Sequence, residues 1–149
     1  MDMDMDNMFK FKLENNRKVY DVPDSVCEQM LKLAEEVKIN CYPESEKGFA
    51  VAVLTDKGNL YPGVSYNSDT YTLTMHSEAT ALAHAAIHGE KNIIAITGPN
   101  CHICKQLIWE SSLNSGTDVI VVIKEEEKIK KIPISQLMPY PWPEKKGKL

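Results

Sequence analysis

The sequence contains no apolar run long enough to cross a membrane. A membrane-spanning helix needs about 18 or more consecutive apolar residues, and no segment of this 149-residue chain approaches that length. The opening residues, MDMDMDNMFK, also lack the basic and then apolar order of a secretion signal. We therefore expect a cytoplasmic protein with no membrane association.

An excess of positive charge is also missing. The 17 Lys and Arg residues are outnumbered by 21 Asp and Glu residues, which gives a formal net charge of -4. Proteins that bind nucleic acids neutralise phosphates with Lys and Arg, and they usually carry a basic field. Dedicated nucleic-acid binding is therefore not expected, and a small molecule is the expected partner.

Cysteines are too few for a disulfide framework. The chain has four, whereas small secreted domains that depend on disulfides are much richer in them. Cys101 and Cys104 are spaced C-x-x-C, which in an intracellular protein indicates a metal site or a redox pair. Cys27 and Cys41 are expected to be small core residues.

Length and composition are those of one globular domain. The chain is 43% hydrophobic and 26% charged, close to the average for folded proteins, and domains commonly have about 100–150 residues. We expect a single domain over residues 1–149. The charged Met-Asp repeat predicts a disordered start over residues 1–10, and the prolines predict an irregular tail over residues 139–149.

Hydrophobic periodicity predicts three helices and five strands. The first helix is expected to begin with a capping box formed by Ser25 and Glu28, and Gly89 is placed to end the second. The predicted helices span residues 24–40, 76–88 and 101–113, and the predicted strands span 49–55, 59–65, 92–97, 119–123 and 128–134.

This order of elements predicts an α/β fold, a three-layer α/β/α sandwich around a mixed five-stranded sheet. The turns at residues 56–58 and 124–127 are short, so each joins two strands of a hairpin. The last two strands must be antiparallel, because a parallel pair needs a crossover of a dozen or more residues.

Residues typical of a zinc site lie at the starts of two predicted helices. Zinc binds thiolates and neutral imidazoles, and a catalytic site keeps three protein ligands and one open position. His76, Cys101 and Cys104 supply three such ligands. A helix N-terminus favours the thiolates. Glu78 follows the histidine by two residues and is the expected general base for a bound water.

The pattern H-x-E followed by C-x-x-C is the signature of zinc-dependent nucleobase deaminases. Over residues 42–142 the chain resembles the small tetrameric cytidine deaminases, and its first helix is also compatible with them. The C-terminal hairpin favours this branch over transfer-RNA adenosine and deoxycytidylate deaminases. The matching segments, in the family's order, are YP at 42–43, FAV at 49–51, LTDKG at 54–58, LTMHSE at 73–78, CHICKQ at 101–106 and LMP at 137–139.

The resemblance implies a zinc enzyme of pyrimidine salvage that converts a cytosine-type nucleoside to its uracil form and releases ammonia. It also implies a homotetramer, in which Tyr140 and Trp142 enter a neighbouring subunit's pocket. Phe49 matches the residue that stacks on the pyrimidine. By the same resemblance, the remaining substrate contacts are Ser65, Asn67, Ser77 and Pro99.

Three positions depart from the family's pattern. The family usually has Cys-Ala-Glu-Arg where this chain has HSEA at 76–79; an imidazole and two thiolates neutralise Zn²⁺, so no arginine is needed to offset excess charge. The usual Pro-Cys is replaced by Asn100-Cys101, with Pro99 one residue earlier. The Asn-x-Glu pair that binds the ribose hydroxyls aligns with Ser65 and Asn67, which removes the strongest hydroxyl acceptor.

Other interpretations of these residues remain open at this stage. The C-x-x-C pair could be a redox pair, or part of a structural zinc site with a fourth ligand among Cys27, Cys41, His84, His88 and His102. The protein could bind zinc and a ligand without turnover. It could also deaminate a modified cytosine nucleoside such as blasticidin S. His84 and His88 are expected to form one polar helix edge, and Trp109 to pack in the core or an interface.

Overall fold

The computed structural model describes residues 8–146, so most of the predicted disordered start and the last three residues of the predicted tail lie outside it. Residues 8–146 contain three α-helices: α1 (Asp24–Val37), α2 (Ser77–Ile87) and α3 (His102–Ser115). The strands are β1 (Phe11–Glu14), β2 (Arg17–Tyr20), β3 (Ala50–Thr55), β4 (Leu60–Val64), β5 (Ile93–Thr97), β6 (Ile120–Glu125) and β7 (Lys128–Pro133).

The predicted mixed five-stranded sheet is confirmed. Its strand order is β4-β3-β5-β6-β7, and β5 and β6 form its parallel pair. Helix α3 makes the crossover that a parallel pair requires. Strands β6 and β7 pair antiparallel, from Ile120 opposite Pro133 to Glu125 opposite Lys128. The carboxyl end of β5 therefore leads directly into the start of α3.

The sheet is covered on both faces, as the three-layer prediction requires. Helix α1 packs on one face, where Cys27 and Met30 are fully buried against β3, β5 and β6. Helices α2 and α3 cover the other face through a core that includes Ala81, Ile108 and Trp109. The core positions predicted for Cys27 and Trp109 agree with this packing.

A second, two-stranded sheet was not predicted. Strands β1 and β2 pair antiparallel around Asn15 and Asn16, which have positive φ values of 52° and 63°. Every residue of β1 is exposed, so no buried face produced a strong hydrophobic signal. The available signal was the Asn-Asn pair, because asparagine tolerates the left-handed conformation of a tight hairpin turn.

The predicted capping box at the start of α1 is wrong. The helix begins at Asp24 with Pro23 as its N-cap, and no side chain caps it. The carbonyl of Pro23 accepts the N–H groups of Val26 and Cys27, which places Ser25 inside the first turn. The predicted helix over 24–40 ends at Val37 and continues as one 3-10 turn.

Helix α2 lies very close to β4 at Gly63. A β-carbon at this position would lie 2.3 Å from the carbonyl oxygen of Ser77 and 2.3 Å from the nitrogen of Ala81. Only glycine leaves room for the helix backbone at such a distance. This contact fixes the height of the first turn of α2 above the sheet, and that turn carries Glu78.

Candidate functional site

Two helix starts meet at one end of the sheet. His76 is the N-cap of α2 and Cys101 is the N-cap of α3, and both have extended backbone conformations. Neither side chain makes a capping hydrogen bond to its own helix, so the imidazole and the thiol remain available for other contacts. The sequence pattern correctly indicated that these residues would lie together.

His76, Cys101 and Cys104 form a cluster of possible metal ligands. The Nδ1 atom of His76 lies 3.2 Å from Sγ of Cys104 and 3.5 Å from Sγ of Cys101. All three ligand atoms lie within 4.8 Å of one another. One imidazole nitrogen and two sulfurs form a donor set that zinc prefers, and with Zn²⁺ they carry no net charge. The residues therefore fit a zinc ion.

The protonation of Cys104 depends on its surroundings and on any bound metal ion. Burial raises the pKa of the Cys104 thiol far above its usual range, and the neighbouring Glu78 carboxylate and Cys101 raise the pKa further. Such a thiol is protonated unless a positive charge lies beside it, and a coordinating metal ion removes the proton from a thiol. The surroundings of Cys104 thus provide negative groups that a bound cation would stabilise.

Glu78 is buried beside the cluster, with only 6% of its surface exposed. One carboxylate oxygen, Oε1, accepts a hydrogen bond of 3.1 Å from the hydroxyl of Ser77. The other, Oε2, accepts a bond of 2.7 Å from the side-chain amide of Asn100. Both oxygens of the expected general base are therefore held by donors from the chain.

The side chain of Asn100 is a part of the site that the sequence did not reveal. The sequence indicated only that Asn100 stands where the resembled family usually has a proline. Its Nδ2 atom also donates to the carbonyl of Thr97 at 3.1 Å, and its Oδ1 atom is buried without a partner. An unpaired buried acceptor typically costs about 1–3 kcal/mol. No spacing rule indicated that this side chain would turn towards Glu78.

A cavity of about 430 Å³ opens beside the cluster. It is lined by eight of the residues predicted to form the site, together with Lys47 and Thr74, which the sequence did not single out. Lys47 is the cationic residue of the lining. The predicted residues in the lining are Phe49, Ser65, Asn67, His76, Ser77, Glu78, Pro99 and Cys101.

Phe49 is largely exposed. The predicted strand over 49–55 included it, but it lies one residue before β3, and 73% of its surface is exposed. Its backbone is tied to Ser65, because the N–H of Phe49 donates to Oγ of Ser65 at 3.0 Å and the N–H of Ser65 donates back to the Phe49 carbonyl at 2.9 Å. The Ser65 hydroxyl therefore positions the cavity wall, and the Phe49 ring is free to face a ligand.

The two tail aromatics do not reach this cavity in their own chain. Tyr140 is fully exposed and Trp142 is 63% exposed, and both line a separate surface groove with His102 and Gln106. The tail backbone is nevertheless attached to α3: Gln106 Nε2 donates to the Trp142 carbonyl at 2.7 Å. The substrate contacts predicted for these two rings would therefore have to be made in another subunit.

Within the described residues, no fourth side chain joins the metal cluster. His84 and His88 form the predicted polar edge of α2: His84 contacts the carbonyl of Pro62, His88 contacts the carbonyl of His84, and the His88 ring stacks on Tyr61. Cys27 lies on the opposite face of the sheet. A structural zinc site with four protein ligands is thus not supported in residues 8–146.

The described part of the chain has no helix that is both long and apolar enough to cross a membrane.

Residues 24–122 match the model of the cytidine and deoxycytidylate deaminase zinc-binding region. A cytidine deaminase of Sodalis glossinidius is 35% identical over 106 residues, which are 68% of this chain and 33% of that protein. The chain thus spans about a third of the length of this curated relative.

Solved structures show the same fold. A cytidine deaminase from Burkholderia pseudomallei superposes with a TM-score of 0.65 at 20% identity, over 77% of this chain and 98% of that chain. One from Mycobacterium leprae gives 0.62 at 22% identity, over 80% and 99% of the two chains.

Proposed function

Because the chain belongs to the zinc-binding cytidine and deoxycytidylate deaminase family, we propose that it catalyses the hydrolytic deamination of a cytosine-type nucleoside. The substrate would be cytidine, deoxycytidine or a modified analogue, and the products its uracil form and ammonia. The proposal rests on one observation. A buried carboxylate, Glu78, lies beside three side chains that fit a zinc ion, at the wall of a cavity of about 430 Å³.

The reaction exchanges an amino group for an oxygen on ring carbon C4. A new bond forms between a water oxygen and C4, the C4–nitrogen bond breaks, and the amino nitrogen leaves as ammonia. Zinc, held by His76, Cys101 and Cys104, would supply Lewis-acid activation of the attacking water at neutral pH. Glu78 takes a proton from that water and passes it to ring nitrogen N3; it then takes the remaining proton from the new C4 hydroxyl and transfers it to the departing amine.

The cavity wall suits a flat base attached to a polar group. The exposed ring of Phe49 offers a face for stacking on a pyrimidine. Asn67 and Pro99 line the same cavity and are proposed to contact the ligand, while Ser77 holds the proton-transfer carboxylate. Lys47 adds a positive charge to the lining.

The direct test is a screen for ammonia release by the zinc-loaded protein. The panel contains cytidine, deoxycytidine, their phosphates, free cytosine, blasticidin S and guanine. We expect release from at least one compound with a cytosine ring and none from guanine. Release from guanine alone would contradict the proposal. Tight binding of a cytosine nucleoside without any release would instead support a binding protein that has the deaminase fold.

A second candidate substrate is a modified nucleoside such as blasticidin S, and the site gives a reason to include it. Oγ of Ser65 already accepts the N–H of Phe49, and Asn67 carries no carboxylate for a sugar hydroxyl. Few strong acceptors in the cavity are thus available for a ribose. A substrate whose substituents are recognised in another way would suit such a cavity.

We predict that the ribose hydroxyls contribute little to the reaction. Removing them from the substrate, in 2′,3′-dideoxycytidine, should change kcat/KM by no more than about threefold, because a site without a designed partner gains little transition-state binding from a hydroxyl. Steady-state assays with cytidine and dideoxycytidine measure this directly. A preference for cytidine of about a hundredfold or more would show that the sugar is recognised by other residues.

We further propose that the chain forms a homotetramer in which the tail completes a neighbour's site. The exposed rings of Tyr140 and Trp142 support this, because tyrosine and tryptophan are enriched at interfaces. A chain truncated before Tyr140 and a full-length Glu78→Ala chain should each be inactive. The two chains are then mixed in equal amounts and allowed to exchange subunits. A site is complete only when its own chain has Glu78 and the neighbouring chain has the tail. Each condition is met in about half of the cases, so about a quarter of the sites should regain activity.

Two measurements check the tail proposal. Light scattering should give a tetramer for the full chain and a smaller species after truncation. Ammonia release should appear in the mixture of the two inactive chains but in neither alone. A truncated protein with full activity, or a full-length monomer with full activity, would show that the tail has no role in a neighbour's site.

A further inference from the structure

The side chain of Asn100 connects the end of the central sheet to the proton-transfer residue. Its Nδ2 atom donates at 2.7 Å to Oε2 of Glu78 and at 3.1 Å to the backbone carbonyl of Thr97, the last residue of β5. We propose that Asn100 is a positioning residue that holds the Glu78 carboxylate in the orientation needed for proton transfer. This inference rests on the function proposed above.

The orientation of the Asn100 amide is fixed by its surroundings. Both groups that face Nδ2 are acceptors, a carboxylate oxygen and a backbone carbonyl oxygen. Turning the amide by 180° would place Oδ1 against both of them and lose both bonds. Asn100 therefore presents a donor to Glu78, and a hydrogen bond to an ionised carboxylate is stronger than one between neutral groups.

The anchor of this contact is rigid. Thr97 is buried, and its hydroxyl accepts the N–H of Ala52 from the neighbouring strand at 3.0 Å. Asn100 is itself only 8% exposed. The amide is thus held between the sheet and the carboxylate, with little freedom to turn away. A catalytic group supported by such a neighbour keeps its geometry better than one that is free to change rotamer.

The preceding loop leaves space for this arrangement. A β-carbon at Gly98 would lie 2.8 Å from Oδ1 of Asn100 and 2.7 Å from Cγ1 of Val121. A side chain at position 98 would therefore push Asn100 out of its place. The lack of a partner for Oδ1 also indicates that the amide is present for its donor, because an apolar side chain would avoid the unpaired acceptor.

The two oxygens of Glu78 are then held by different elements. Ser77, on the same helix, donates to Oε1, and Asn100 donates to Oε2 from the loop before α3. Of these two donors, only Asn100 lies outside α2. Without it, the Glu78 side chain could rotate about its own bonds while zinc and substrate remained bound. Loss of Asn100 should therefore slow the chemical step rather than weaken binding.

The test replaces Asn100 with leucine, which has nearly the same shape and no donor. For the zinc-loaded Asn100→Leu protein we expect kcat to fall by about 10–100-fold with KM within about threefold of wild type. Asn114→Leu is the matched control: its amide donates to a backbone carbonyl on the exposed side of α3, and its kcat should not change. A folded, zinc-loaded Asn100→Leu protein with wild-type kcat would overturn the proposal.

Asn100→Asp is measured in parallel, because it keeps the size and replaces the donor with an acceptor. It should lower kcat at least as much as Asn100→Leu, and it decides the case if the leucine variant does not fold. Wild-type kcat in a zinc-loaded Asn100→Asp protein would overturn the proposal. The proposal would also be overturned if the loss of activity in either variant were explained entirely by a loss of zinc.

A measurement without turnover separates this inference from the proposed function. Chemical unfolding of the zinc-loaded proteins is compared for wild type, Asn100→Leu, Glu78→Gln and the double variant. If Asn100 holds Glu78, the effects of the two substitutions on the unfolding equilibrium constant should differ from additivity by about fivefold or more. Additive effects would overturn the positioning role. A wild type that releases no ammonia would refute the proposed function alone.

Discussion

Replacing Glu78 with alanine should abolish ammonia release while the zinc content stays at about one ion per chain. The carboxylate is buried beside the zinc cluster but is not a member of it, so its loss removes proton transfer and leaves the ligands in place. Proton transfer by a positioned group typically contributes about 10²–10⁴-fold to a rate. The measurement combines kcat for the best substrate with elemental analysis of the same sample.

Two further variants serve as controls: one changes the same carboxylate, and the other removes a distant one. Glu78→Gln keeps the shape and one acceptor oxygen but cannot take up a proton in the same way, so it should be nearly as inactive as Glu78→Ala. Glu110→Ala removes a carboxylate on α3 that accepts a hydrogen bond from Gln106 and should leave kcat within about twofold. Substantial activity in either Glu78 variant would assign proton transfer to another residue.

Replacing Cys104 with alanine should remove zinc and activity together. Its sulfur lies 3.2 Å from Nδ1 of His76 and is the buried member of the cluster. Two remaining ligands cannot hold zinc tightly, because catalytic zinc sites use three protein ligands. We expect the zinc content to fall from about one ion per chain to near zero after dialysis, measured by elemental analysis.

Cys27→Ala is the matched control for the loss of a buried cysteine. Cys27 is fully buried, but it lies on the opposite face of the sheet under α1. Its replacement should lower the free energy of unfolding by about 1 kcal/mol or more through lost packing and leave zinc content unchanged. Full zinc content in Cys104→Ala would contradict the three-ligand site.

The sheet and its two helical layers could be predicted because burial leaves a periodic signal. The buried run at 93–97 and the alternation of helix and strand indicated a mixed sheet, in which β5 and β6 form the parallel pair. Hairpin β1–β2 left no such signal, since one of its strands is entirely exposed. The start of α1 at Asp24 was predicted, but its capping box was wrong for a different reason: the first turn is closed by backbone bonds to the carbonyl of Pro23, and a side-chain pattern does not encode backbone groups.

The metal cluster was predictable for a chemical reason. Zinc requires particular ligand types, and the C-x-x-C spacing brings two sulfurs together within one helical turn. The contact between Asn100 and Glu78 was not predictable, because an asparagine in a loop has no preferred direction until the loop is folded. The same holds for Lys47 in the cavity lining and for the Ser65 hydroxyl, whose oxygen accepts the N–H of Phe49.

The most direct measurement is ammonia release from the best cytosine-type substrate before and after removal of the metal. The purified protein is assayed as isolated, after treatment with a chelator, and after one equivalent of zinc is returned. The account predicts that ammonia and the uracil-form product appear in equal amounts, that both disappear with the metal and that zinc restores both. Deamination that continues unchanged in the metal-free protein would contradict the account.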